Sequence, residues 1–118
     1  MTVDPADVRA LLDERTTAAQ AQREALRAAI EQTQHARSLT FTDDEHDPEG
    51  STASLDQARD TALLAQVDRT LAELAAARGR LAAGTYGTCE RCGQPVAPER
   101  LAARPEARTC VRCAARSL

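Results

Sequence analysis

Cys89-Glu90-Arg91-Cys92-Gly93 and, after sixteen intervening residues, Cys110-Val111-Arg112-Cys113 contain all four cysteines of the chain. Two C-x2-C pairs at this separation match the spacing of a zinc site. Each pair predicts a tight turn that presents two thiolates to one ion, and Gly93 supplies the backbone freedom such a turn needs. No fifth ligand candidate lies nearby, so Cys89, Cys92, Cys110 and Cys113 point to one closed, tetrahedral, structural Zn²⁺. Two redox-active C-x2-C pairs or an iron-sulfur cluster are the alternative readings of the same quartet. A module this small and this poor in large apolar side chains depends on its metal for folding.

Upstream of the quartet, Leu64, Val67, Leu71, Leu74 and Leu81 form a heptad seam that ends at Gly84. Ser51 or Ser54 is placed to cap this helix, the latter with Gln57 as its capping-box partner. Before it, residues 39–50 read Leu-Thr-Phe-Thr-Asp-Asp-Glu-His-Asp-Pro-Glu-Gly, a run with five acids and no basic residue, broken by Pro48 and Gly50. That composition predicts a loop. Upstream again, Asp4 caps a helix with Pro5 at its first position and Asp7 near the positive end of the dipole. Val8, Leu12, Ala19, Leu26, Ala29 and Ala36 make its seam as far as about Ser38, interrupted by Arg15 and Gln22. Two helices of matching length joined by a short loop fold back on each other. The expected architecture is mainly α. Residues 1–83 form a long antiparallel helical hairpin, or coiled coil, with an acidic tip loop at about 39–50. Residues 84–118 form a small C-terminal four-Cys zinc finger with a short C-terminal helix.

Composition agrees with a thin helical protein. The 118 residues include 25 Ala, one Phe, one Tyr and no Trp. Ala, Leu, Glu and Arg at helical spacing favour long helices, and so few large side chains cannot fill a thick core. The formal charge is −3, with 15 Arg and no Lys, which argues against a protein whose main task is coating DNA. The charge is uneven: residues 1–83 carry 9 Arg against 15 acids, whereas residues 84–118 carry 6 Arg against 3 Glu. Met1-Thr2-Val3-Asp4-Pro5 has no apolar signal region and no apolar run exceeds four residues, so the expectation is a cytoplasmic protein without membrane contact.

Autonomous catalysis is not expected. Zinc deaminases combine H-x-E with P-C-x-x-C and an open metal position. Here Thr88 and Thr109 precede the Cys pairs, and neither His35, in the first helix, nor His46, in the acidic loop, begins an H-x-E. No Gly-rich phosphate loop or Ser-His-Asp set is present either.

Tyr86-Gly87-Thr88-Cys89-Glu90-Arg91-Cys92-Gly93, then Glu99-Arg100-Leu101-Ala102-Ala103-Arg104-Pro105 before the last Cys pair, and Asp47-Pro48-Glu49-Gly50 ahead of the second helix, resemble the TraR/DksA C4-type zinc finger family. The resemblance is most specific over residues 84–113. It implies Cys89, Cys92, Cys110 and Cys113 as ligands of one Zn²⁺. It also implies a non-enzymatic regulator that binds bacterial RNA polymerase and passes its helical hairpin through the secondary channel, without sequence-specific DNA contact. Asp43, Asp44, Glu45, Asp47 and Glu49 would then form the tip near the polymerase active centre, where carboxylates can approach a catalytic magnesium or compete for the basic residues around it. Aligned on Asp47, the family's D-x-x-D-x-A tip has Gly50 and Thr52 here at its last two specified positions. Arg91, Arg100, Arg104, Arg108 and Arg112 are candidate docking charges. No motif in the chain assigns the response to the alarmone ppGpp seen in some members.

Two other functions compete. The finger's arginines point to direct nucleic-acid binding, but four thiolates with one Zn²⁺ bring −2 and leave the finger near +1, weak for phosphate tracking. A Gre-like role, with Asp43 and Asp44 recruiting a second Mg²⁺ for RNA cleavage by the polymerase, is chemically conceivable. The Cys quartet argues against that role, because Gre factors lack a zinc finger.

Overall fold

A computed structural model describes residues 4–39 and 48–116, and side chains for all of these except 48–51. Four helices follow one another: α1 (Pro5–Leu39), α2 (Pro48–Ala83), α3 (Pro98–Ala103) and α4 (Val111–Arg116). The expected mainly helical fold, with long helices and a C-terminal four-Cys module, is what the chain adopts.

The boundaries of the long helices follow from a few residues. Asp4 Oδ1 accepts the otherwise orphaned Ala6 N–H at 2.9 Å and Asp4 O accepts the Val8 N–H at 3.1 Å, so one residue both caps α1 and takes its first ladder bond. α2 closes on Gly84, whose φ of +79° suits glycine. The Gly84 N–H donates to Leu81 O at 3.2 Å and the Thr85 N–H to Arg80 O at 2.9 Å, the paired bonds of a Schellman stop. The start of α2 departs from expectation. The helix begins at Pro48 rather than at Ser51 or Ser54, so residues 48–50, read as loop, are its first turn. Proline is a good first helical residue, since its φ is preset and it lacks the N–H that would find no partner there. Pro48 was therefore a start signal and not loop punctuation.

The chain divides into two compact units, residues 1–18 with 70–118 and residues 19–69. In the first, α1 and α2 run antiparallel, with Asp13 ion-paired to Arg78. Val8, Leu12, Leu74 and Ala77 are the side chains of α1 and α2 buried in it, with Leu12 and Ala77 fully inaccessible. In the second, Arg23 pairs with Asp68 at 2.7 Å and Arg37 Nη1 donates to Gln57 Oε1 at 2.9 Å, again an antiparallel register. Among its described residues only Ala19 and Val67 are buried, while Leu26, Ala29, Ile30 and Leu64 are half-buried. Exposed ion pairs contribute about 0.2–1 kcal/mol each. Apolar burial therefore concentrates in the first unit, where the finger is built. Arg15 and Gln22, read as breaks in the α1 seam, are exposed, and so is Ala36.

Among the described residues, no helix is long and apolar enough to cross a membrane.

Candidate metal centre

Past Gly84 the chain makes a short antiparallel bridge between Thr88 and Pro95. The Cys89 N–H donates to Gln94 O at 2.8 Å and the Gly93 N–H returns to Cys89 O at 2.9 Å, which closes the first Cys pair into a knuckle. Gly93 has φ of +77°, a left-handed value that a side chain would strain, so this glycine permits the turn. The second pair rides on α4: Cys110 immediately precedes the helix and Cys113 lies within it, with the Ala114 N–H bonded to Cys110 O at 2.9 Å. The Glu90 N–H reaches Arg108 O at 3.0 Å and links the two halves.

These turns gather Cys89, Cys92, Cys110 and Cys113 so that their four Sγ atoms lie within 4.8 Å of one another. Cys92 Sγ and Cys110 Sγ are 3.8 Å apart. A tetrahedron with metal–sulfur bonds of about 2.3 Å has edges of about 3.8 Å, so the quartet fits one zinc ion after shifts of at most about 1 Å. All four donors are sulfur and none is left over for water, the composition of a closed structural site.

Local electrostatics favour thiolate at two of the positions. The backbone N–H of Cys92, followed by that of Cys110, lowers the Cys89 thiol to about 6. The backbone N–H of Cys113 lowers Cys110. Cys113 goes the other way, to about 12, chiefly because it shares a hydrogen bond with Cys110 and also because it is buried. Four thiols this close share protons until a dication displaces them. Zinc binding therefore releases protons, and falling pH opposes it.

The site is asymmetric. Cys89 and Cys113 are buried with Val96 and Leu101, and Tyr86, Ala107 and Cys110 pack against this cluster. Cys92 is exposed. Three further contacts brace the finger, one within it and two from the ends of α1 and α2 in the same unit. The Tyr86 hydroxyl donates to Pro105 O at 2.8 Å, Arg80 Nη2 to Glu106 O at 3.3 Å, and Arg15 Nη1 to Ala103 O at 3.2 Å. Burial, first of all, raises the Tyr86 phenol above its ordinary value and keeps it a donor. Tyr86→Phe is expected to cost about 1 kcal/mol, the net worth of a hydrogen bond plus a part-buried carbonyl left unpaired. Denaturant unfolding of zinc-loaded protein measures that loss.

The candidate docking arginines divide. Arg100 Nε donates to Thr109 O at 2.9 Å and Arg104 lies 3.7 Å from Glu106, so both are engaged within the finger. Arg91, Arg108 and Arg112 are exposed. Of the acidic tip residues, Asp43, Asp44, Glu45 and Asp47 lie outside the described residues; Glu49 falls in the first turn of α2, but its side chain is also outside them. The three staples on carbonyls 103, 105 and 106 were not foreseen. A tyrosine beside a Cys pair was a visible signal, whereas Arg15 and Arg80 read as ordinary helix-surface cations.

Three comparisons bear on this geometry. Residues 84–117 match the family model described as prokaryotic dksA/traR C4-type zinc finger. An uncharacterized protein of Aquifex aeolicus (strain VF5) is 47% identical over 45 residues, which span 38% of this chain and 31% of that protein. The solved structure of transcription factor DksA2 from Pseudomonas aeruginosa is similar over 98% of this chain and 90% of its own, with a TM-score of 0.53 and 26% identity. The resemblance read in the motifs is borne out: residues 84–117 match the prokaryotic DksA/TraR C4-type zinc finger model, on a chain whose fold is similar to that of DksA2.

Proposed function

We propose that this protein is a non-enzymatic transcription regulator of the bacterial cytoplasm that binds RNA polymerase. In this reading residues 84–118 act as one functional part, a finger with Cys89, Cys92, Cys110 and Cys113 on a single structural Zn²⁺. Residues 1–83 act as the other, a coiled-coil hairpin inserted into the polymerase secondary channel. Exposed arginines of the finger, Arg91, Arg108 and Arg112 foremost, dock on the enzyme outside the channel, while Arg100 and Arg104 chiefly hold the finger together. Asp43, Asp44, Glu45, Asp47 and Glu49 bring carboxylates towards the polymerase active centre, where they compete for magnesium or basic groups.

The observation that carries this reading is the joint one. A C4 finger that matches this family's model accompanies two long paired helices, and the chain is similar, over nearly its whole length, to a protein described as a transcription factor. A finger alone would serve many partners.

The test is a fluorescence titration of zinc-loaded protein against its own core RNA polymerase at low salt. Saturable binding that weakens as salt rises is the expected result, since charged docking residues are screened. No binding at low salt would refute the proposal.

A further inference from the structure

A cavity of about 510 Å³ opens beside the cysteine quartet, lined by Cys92, Gln94, Pro95, Cys110, Cys113 and the two α4 arginines Arg112 and Arg116. It faces the only exposed thiol of the four, Cys92. Cys89 and Cys113 are instead buried in a cluster with Val96 and Leu101, against which Tyr86 and Ala107 pack. Arg112 and Arg116 stand one helical turn apart, so α4 presents both on one face. Among the described residues neither makes an ion pair or hydrogen bond, unlike Arg80, Arg100 and Arg104, which are engaged with the finger's own carbonyls or with Glu106.

Charge decides what such a cavity accepts. Four thiolates on one Zn²⁺ leave the centre at −2, and two guanidinium groups on the same cavity offset that charge. An external anion would find little net attraction there, so the arginines serve the metal centre itself. We infer that Arg112 and Arg116 are positioning residues that form the cationic wall on the open side of the tetrathiolate centre, and that they set how tightly and how long the finger keeps its zinc. Each guanidinium stabilises sulfur-borne charge and lines the cavity through which a competing ligand can approach Cys92, Cys110 and Cys113. Partners just outside the first coordination layer typically change metal affinity by 10–100-fold. Both side chains are exposed and partly screened, so the low end applies, about tenfold for the pair. The inference needs no polymerase and stands or falls apart from that proposal.

The test uses zinc-loaded full-length protein and a chromophoric chelator, with affinity read by competition and loss by stopped flow. Arg112→Gln/Arg116→Gln is expected to bind zinc about tenfold more weakly and release it correspondingly faster. Arg112→Lys/Arg116→Lys should restore most of the difference, because it keeps the charge. Arg108→Gln, an exposed arginine that does not line the cavity, should match wild type. Salt should weaken zinc affinity more in wild type than in the double Gln variant. Circular dichroism of the loaded proteins checks that helix content is unchanged. Equal affinity and release in wild type and a folded double Gln variant would overturn the inference. So would a double Lys variant no better than double Gln, or an Arg108→Gln variant equally impaired.

Discussion

Removal of zinc with a chelator is expected to abolish the ordered structure of residues 84–116. The finger's apolar cluster has four buried members, and two of them, Cys89 and Cys113, are candidate ligands. Without the ion, Val96, Leu101 and Pro105 remain as buried side chains, with Tyr86 and Ala107 partly buried, too little to offset about 1–2 kcal/mol of backbone entropy for each ordered residue. Structural zinc contributes about 10–16 kcal/mol in small modules and is in effect their folding energy. The loss should spread to the helix ends of the same unit, because the carbonyls that Arg15 and Arg80 engage belong to Ala103 and Glu106. Cys113→Ser should reproduce the effect. Acidification should act in the same direction, since protons compete with the metal for each thiolate. In the metal-free cluster Cys113 holds its proton up to about 12, so zinc loading at neutral pH must displace it, and falling pH returns it. Amide hydrogen exchange along the chain measures this directly. Unchanged protection of residues 84–116 in metal-free protein would contradict the account.

Leu12→Ala is expected to cost about 3 kcal/mol, the larger of the two effects available from side chains that hold no metal. Leu12 is fully inaccessible and Leu74 is 1% exposed, in a unit where the other buried side chains of α1 and α2 are Val8 and Ala77. A thin helix pair has few neighbours with which to refill the space of a deleted isobutyl group, so the transfer term and the cavity term both apply. Leu74→Ala should behave alike. Leu55→Ala, at a position 72% exposed, should change stability by less than about 0.5 kcal/mol. Chemical denaturation of the zinc-loaded proteins separates these outcomes. A Leu12→Ala variant as stable as Leu55→Ala would mean that the helices are not held together where Leu12 is buried.

What was legible in the sequence follows from how local each determinant is. The α1 cap at Asp4, the α2 stop at Gly84 and the knuckle at Gly93 each rest on one residue type with one physical use, and all three stand as read. The metal quartet was legible for the same reason: thiols at this spacing have few other employments. Heptad positions anticipated Val8, Leu12, Ala19, Val67 and Leu74 as buried. They missed Ala77, because alanine tolerates both core and surface and an Ala-rich helix gives little contrast. Pro48 was misread since proline punctuates loops and also begins helices, and its neighbours are uniformly polar. The contacts of Arg15, Arg80 and Tyr86 with carbonyls 103–106 depend on how distant segments meet. No period in the sequence encodes that, and the cationic wall of Arg112 and Arg116 emerged only with the cavity they share.

The central claim is that a finger-anchored body docks on RNA polymerase while an acidic tip acts inside it. The most direct measurement pairs a binding titration against cognate core polymerase with in vitro transcription, comparing wild type with a variant in which Asp43, Asp44, Asp47 and Glu49 are changed to Asn or Gln. The account predicts that both proteins bind and that only wild type alters transcript yield. Failure of both to bind, or an undiminished effect of the neutralised variant on transcription, would contradict it.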